Sequence, residues 1–101
     1  MTNTQHILCI EDEVDIQEII AYNLKRAGYK LSLASDGIKG LALAQTQTPD
    51  LILLDIMLPG LSGMQVCERL KANLKTQLIP IIMLSARSEE VDVISGLTHG
   101  A

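Results

Sequence analysis

The regular exchange of short apolar runs with segments of helical period limits the fold more than any other feature of the chain. His6-Ile7-Leu8-Cys9-Ile10 and Leu51-Ile52-Leu53-Leu54 are continuous runs, Ile79 to Leu84 is broken only by Pro80, and Leu31-Ser32-Leu33-Ala34 alternates more weakly. Runs of this length suit strands covered on both faces, as in a parallel sheet. Between them, Ile16, Ile19, Ile20, Leu24 and Ala27 make an apolar stripe at helical spacing, and Gly28 stands where a helix C-terminal glycine belongs. Ile38, Leu41, Ala42 and Ala44 mark a second helix, led by Asp36 as N-cap and ended before Pro49. Met64, Val66, Cys67, Leu70 and Leu74 mark a third. Ser88, Glu89 and Glu90 open a fourth, with Val91, Ile94 and Leu97 as its apolar face. The order β-α-β-α-β-α-β-α predicts an α/β fold with a doubly wound parallel sheet.

The length of 101 residues suits one domain, expected to span 1–101. Hydrophobic residues make up 48 % of the chain, which excludes intrinsic disorder. Without Trp or Phe and with only Tyr22 and Tyr29 the core must be aliphatic, which also argues against a stacking platform for single-stranded nucleic acid. A net charge of −4 argues against direct binding to DNA. The apolar runs are too short to span a membrane, and Met1 to His6 does not read as a signal peptide. Cys9 lies in an apolar run and Cys67 in a helical pattern, so both are expected as buried free thiols. These features fit a cytoplasmic protein in a reducing compartment.

Three carboxylates stand out by position. Glu11 and Asp12 follow the first strand, and Asp55 follows the third. In an open α/β sheet, ligands bind at the carboxyl edge of the strands, where the strand order reverses. If the first and third strands are neighbours, the three acids share one pocket. Their mutual repulsion then calls for a hard cation, and Mg²⁺ suits one or two carboxylates with room left for phosphate oxygens. Asp55, at the end of the most apolar strand, is the best nucleophile of the three. Singly, each acid reads equally well as a strand-end or capping residue, as Glu13 and Asp15 do. Ile56 to Gly63 is a Pro- and Gly-bearing loop, either an ordinary connection or a stiff surface for a ligand. Ser85, after the fourth strand, offers a hydroxyl at the same edge, although a Ser at such a junction is common.

Taken in order, these segments resemble the receiver domain of two-component response regulators. The resemblance rests on Ile10-Glu11-Asp12-Glu13, Asp50-Leu51-Ile52-Leu53-Leu54-Asp55, Met57-Leu58-Pro59-Gly60 with Gly63-Met64, and Pro80-Ile81-Ile82-Met83-Leu84-Ser85-Ala86. The loop wording is similar to the OmpR/PhoB-like class, whose receivers are joined to a winged-helix DNA-binding domain. The resemblance implies a flavodoxin-like (CheY-like) sheet with strand order 2-1-3-4 and then a fifth strand. It implies that Asp55 is the phosphoacceptor, taking phosphate from a sensor histidine kinase. It further implies that Asp12, Asp55 and the backbone carbonyl of Met57 bind Mg²⁺, that Glu11 reaches the ion mostly through water, and that Ser85 is the switch hydroxyl. The expected role is a switch that regulates transcription through an output domain, not a turnover enzyme.

One departure enters the expectations. The fifth strand of receivers, with its Lys and its aromatic residue, and the fifth helix are not found before Ala101. Lys71 and Lys75, placed on the third helix, are no substitutes, and His99 reads as a surface residue. A bare sheet edge and face would favour weak stability or a homodimer, and phosphorylation would be impaired. The alternatives are a pseudo-receiver acting as an interaction module and an aspartyl phosphohydrolase. The latter lacks the second acid two residues after a first-strand nucleophile. A flavin or dinucleotide site lacks its glycine-rich loop.

Overall fold

In a computed structural model, which describes residues 4–84, the chain runs β1 (His6–Ile10), α1 (Val14–Arg26), β2 (Lys30–Ala34), α2 (Gly37–Gln47), β3 (Leu51–Asp55), α3 (Gly63–Lys71), β4 (Ile81–Leu84). All described strand pairs are parallel, and the order is β2-β1-β3-β4. This is the flavodoxin-like arrangement. β1 and β3 are central, and Leu8, Cys9, Ile10, Ile52 and Leu54 are fully buried. That explains their unbroken apolar sequences. β2 lies at an edge and its pattern is mixed, with Lys30 and Leu33 exposed. Pro80 immediately precedes β4; it lacks an N–H but its carbonyl accepts from Ile52 N at 3.0 Å.

One apolar cluster fills the space between the sheet and α2 with α3: Leu8, Ile10, Ile52 and Leu54 from the sheet meet Ala44, Val66, Cys67 and Leu70. No α1 residue belongs to it. The strand order explains this. The connections from β1 to β2 and from β2 to β3 run in opposite directions across the sheet, so right-handed crossovers place α1 and α2 on opposite faces.

The helical faces differ in detail from the expected stripes. On α1, Ile16, Gln17, Ile20, Ala21 and Leu24 are half-buried, whereas Ile19 is 62 % exposed. At 100° per residue, Ile19 lies far around the helix from the centre of that group. Ala27 is the exposed C-cap, and Gly28 follows with φ +97°. On α2 the buried residues are Gly37, Gly40 and Ala44, while Ile38 and Ala42 are exposed. The glycines let the helix approach closely: a Cβ on Gly37 would stand 2.7 Å from Val66 Cγ2, and one on Gly40 would meet the Ile10 side chain. Asp36 caps α2 as expected, accepting from Lys39 N at 2.8 Å. The third helix ends at Lys71, so Leu74, expected on its stripe, is 85 % exposed, and Lys75 also lies past the helix. The chain turns there because Thr76 is buried and its Oγ1 donates to Leu70 O at 2.6 Å.

Cys9 and Cys67 are buried free cysteines, as expected. Among the described residues, no helix is long and apolar enough to cross a membrane. Ser85, the fourth helix with its Ser88 cap and His99 lie outside the described residues, and β4 stands at an edge of the described sheet.

Candidate functional site

The register of the sheet assembles the acidic site. Ile10 pairs with Leu54 in the β1–β3 ladder, so Glu11 and Asp55 come next along the same edge. Glu11 N donates to Ala34 O at 2.9 Å, which carries the β1–β2 ladder one residue further. Oxygen atoms of Glu11, Asp12 and Asp55 lie within 4.8 Å of one another. Glu11 and Asp55 are buried, and Asp12 is exposed.

The two buried carboxylates are each held by a local bond. Glu11 Oε2 accepts from Glu13 N at 3.0 Å, at the start of α1, where Glu13 itself provides no side-chain cap. Asp55 Oδ1 accepts from Met57 N at 3.1 Å. The Met57 side chain points to solvent, 70 % exposed. The β3–α3 loop then turns through Gly60 at φ +73° and closes when Gly63 N donates to Ile56 O at 2.9 Å. Ser62 and Gln65 form a reciprocal capping box that starts α3 directly beside the site.

The electrostatics are those of a site short of positive charge. Burial pushes the Glu11 carboxyl from 4.5 up to about 7; the Glu13 N–H opposes this, and the Asp55 and Asp12 charges add to it. Burial also raises Asp55, against the Met57 N–H and with the Asp12 charge. Cys9 is pushed up to about 12 by burial and then by the Glu11 and Asp55 charges, so it is a structural thiol and not a nucleophile. The donor set consists of carboxylate oxygens alone. Oxygen-only, excess-negative chemistry fits a hard divalent cation such as Mg²⁺.

Glu11, Asp12 and Asp55, singled out from sequence, are thus brought together. Met57 is two residues from Asp55 and bonded to it through its N–H, and Ser85 lies outside the described residues. Two contacts that shape the site were not anticipated. Gln17 Nε2 donates to the Glu11 carbonyl. Its signal is a polar residue among Ile16, Ile20, Ala21 and Leu24 on the half-buried face of α1. Gly63 lies against the Asp55 backbone. Nothing in its sequence context distinguishes that contact from an ordinary loop glycine.

The chain is similar to known proteins. The chain is 46 % identical over 95 residues to the alkaline phosphatase synthesis transcriptional regulatory protein PhoP of Bacillus subtilis; the match covers 94 % of this chain and 39 % of that protein. It is 46 % identical, over 94 % of this chain and 39 % of the relative, to the DNA-binding dual master transcriptional regulator RpaA of Synechocystis. The chain therefore spans about two fifths of the length of these curated relatives. Among solved structures, a putative response regulator from Chloroflexus aurantiacus superposes with a TM-score of 0.88 at 29 % identity, over 98 % of this chain and 81 % of that one. The receiver domain of sensor histidine kinase PA1611 from Pseudomonas aeruginosa superposes at 0.84 with 31 % identity, over 98 % and 80 %; that structure has a magnesium ion coordinated in its active-site cleft. Residues 7–101 match the response regulator receiver domain family, and the chain belongs to that family.

Proposed function

We propose that this receiver is a phosphorylation switch in which Asp55 accepts a phosphoryl group from a phosphohistidine on a sensor kinase. The observation that carries the reading is the convergence of Glu11, Asp12 and Asp55 within 4.8 Å at the carboxyl edge of the sheet. Asp12, Asp55 and the Met57 carbonyl would hold Mg²⁺ directly, and Glu11 would reach it through water. When bound, the ion neutralises charge on the cluster and on the transferring oxygens.

The chain's own residues supply the rest. An Asp55 carboxylate oxygen forms the new bond to phosphorus while the bond from phosphorus to the donor imidazole nitrogen breaks, and the electron pair leaves with that nitrogen. The Met57 N–H keeps Asp55 Oδ1 oriented, and the other oxygen is the one that would attack. Ser85 would donate its hydroxyl to a phosphoryl oxygen, and new charge with new acceptors would shift the population of the following loop. The domain takes one phosphoryl group per event and does not turn over a metabolite. It works in the cytosol and regulates transcription through an output domain.

Acetyl phosphate or beryllofluoride with Mg²⁺, read by intact mass and NMR, tests the reading with Asp55→Asn as control. An Asp55-dependent adduct is expected. Saturable Mg²⁺ shifts without an adduct would show a metal site that does not accept phosphate, and no Mg²⁺ response would remove the site itself.

A further inference from the structure

Gln17 sits one turn into α1 and belongs to its ladder through its N–H, which donates to Glu13 O at 3.0 Å. Its side chain does something else. It reaches back over the helix start, and Nε2 donates to the carbonyl oxygen of Glu11. Glu11 is thereby held at three atoms: its N–H by Ala34 O, its Oε2 by Glu13 N, and its carbonyl by Gln17.

The third bond has a consequence the other two lack. The Glu11 carbonyl lies in the planar peptide that joins Glu11 to Asp12. Fixing its direction fixes the plane from which the Asp12 backbone departs. Asp12 is exposed, so no surrounding core places its carboxylate. Gln17, by contrast, is half-buried on the sheet-facing side of α1, in line with Ile16, Ile20 and Leu24.

We propose that Gln17 is a positioning residue: through the Glu11–Asp12 peptide it sets where the Asp12 carboxylate stands relative to Asp55. The proposal rests on reading the acidic cluster as a Mg²⁺ site. An uncharged amide suits the task. It donates to the carbonyl without adding a cation that would compete with the metal or an anion that would deepen the repulsion. Partners that orient metal-binding groups from behind typically change metal affinity by about 10- to 100-fold when lost.

The test is a Mg²⁺ titration of the full chain, followed by amide NMR, for the wild type, Gln17→Met and Ile16→Val. Met matches Gln in length and lacks the donor; Ile16→Val loosens the same helix turn and leaves Gln17 in place. About tenfold weaker Mg²⁺ binding in Gln17→Met is expected, with displaced Asp12 amide shifts before metal is added and Ile16→Val binding as the wild type does. Gln17→Met binding within about twofold of the wild type overturns the proposal, and so does an equal loss in Ile16→Val. Wild-type protein that binds no Mg²⁺ overturns the site reading instead, which separates the two failures. If Gln17→Met does not fold, the wild-type Gln17 side-chain amide decides. Shifted, exchange-protected protons support the bond, and free-amide positions with fast exchange overturn it.

Discussion

Gly63 stands directly against the backbone of Asp55: a Cβ there would meet the Asp55 carbonyl oxygen and come within 2.7 Å of Ile56 Cα. Its N–H is used as well, donating to Ile56 O at 2.9 Å. The loop after β3 thus folds back onto the strand end that carries Asp55, and only a residue without a side chain permits it. Gly63→Ala is expected to destabilise the fold by about 1–3 kcal/mol through overpacking and to weaken Mg²⁺ binding, because the backbone that gives way is that of Asp55. Thermal melting and Mg²⁺ titration on the same protein check both effects.

Glu11 should make metal-free stability depend on pH in the sense opposite to a salt-bridged acid. Its carboxyl is raised from 4.5 to about 7, so between those values the unfolded chain has lost a proton that the folded chain keeps. Stability from this group is fully present below about 4.5 and is lost as pH rises through about 7. Glu11→Gln removes the dependence. The melting temperature of the variant minus that of the wild type, without metal, should therefore grow from pH 5 to pH 8. A flat difference would contradict the assigned burial and repulsion.

Mg²⁺ should reverse that penalty. Raised Glu11 and Asp55 carboxyls mean that protons compete with the ion, so affinity is expected to fall as pH drops below about 7. Asp55→Asn removes one of the crowded charges and should melt higher than the wild type without metal, while losing the stabilisation that Mg²⁺ gives the wild type. Melting curves with and without Mg²⁺ read both.

Thr76 offers a contrast far from the chemistry. It is buried, and its Oγ1 donates to the Leu70 carbonyl at the end of α3 at 2.6 Å. Thr76→Val keeps the volume and removes that donor, leaving the Leu70 carbonyl only the longer bond from Asn73 N at 3.4 Å, for an expected loss of about 0.5–1.5 kcal/mol. Mg²⁺ affinity should not change. A loss of both would mean that α3 transmits disorder to the site.

The Ser62–Gln65 capping box lies between these extremes. Ser62→Ala removes the bond that Gln65 N donates to Ser62 Oγ, 3.2 Å long, and should cost about 1 kcal/mol. Helix signal and melting temperature measure it.

Much of this was legible in the chain. β1 spans the residues read as its apolar run, and Asp36 caps α2 where expected, because strand burial and helix capping depend on neighbours along the sequence. Glu11, Asp12 and Asp55 could be selected because strand-end acids in a parallel fold must share one edge. The helical faces were less legible. Ile38 and Leu74 read as core and are exposed, while Gly37 and Gly40, which carry no hydrophobic signal, form the contact face of α2. Hydrophobicity marks what a residue tolerates; the fit of one surface against another decides which residues are used. The Ser62-x-x-Gln65 spacing was a local signal that could have been read as a capping box.

The sequence by itself determined the order and type of the elements, the aliphatic core and the acids placed at the strand ends, since all of these follow from local periodicity and short-range chemistry. Only the tertiary structure decided that β1 lies beside β3 in the register that sets Glu11 next to Asp55, that Gly63 backs onto Asp55, and that Gln17 reaches the Glu11 carbonyl. Those relationships join residues on different elements, and their geometry is set by packing across the sheet, which no local pattern records.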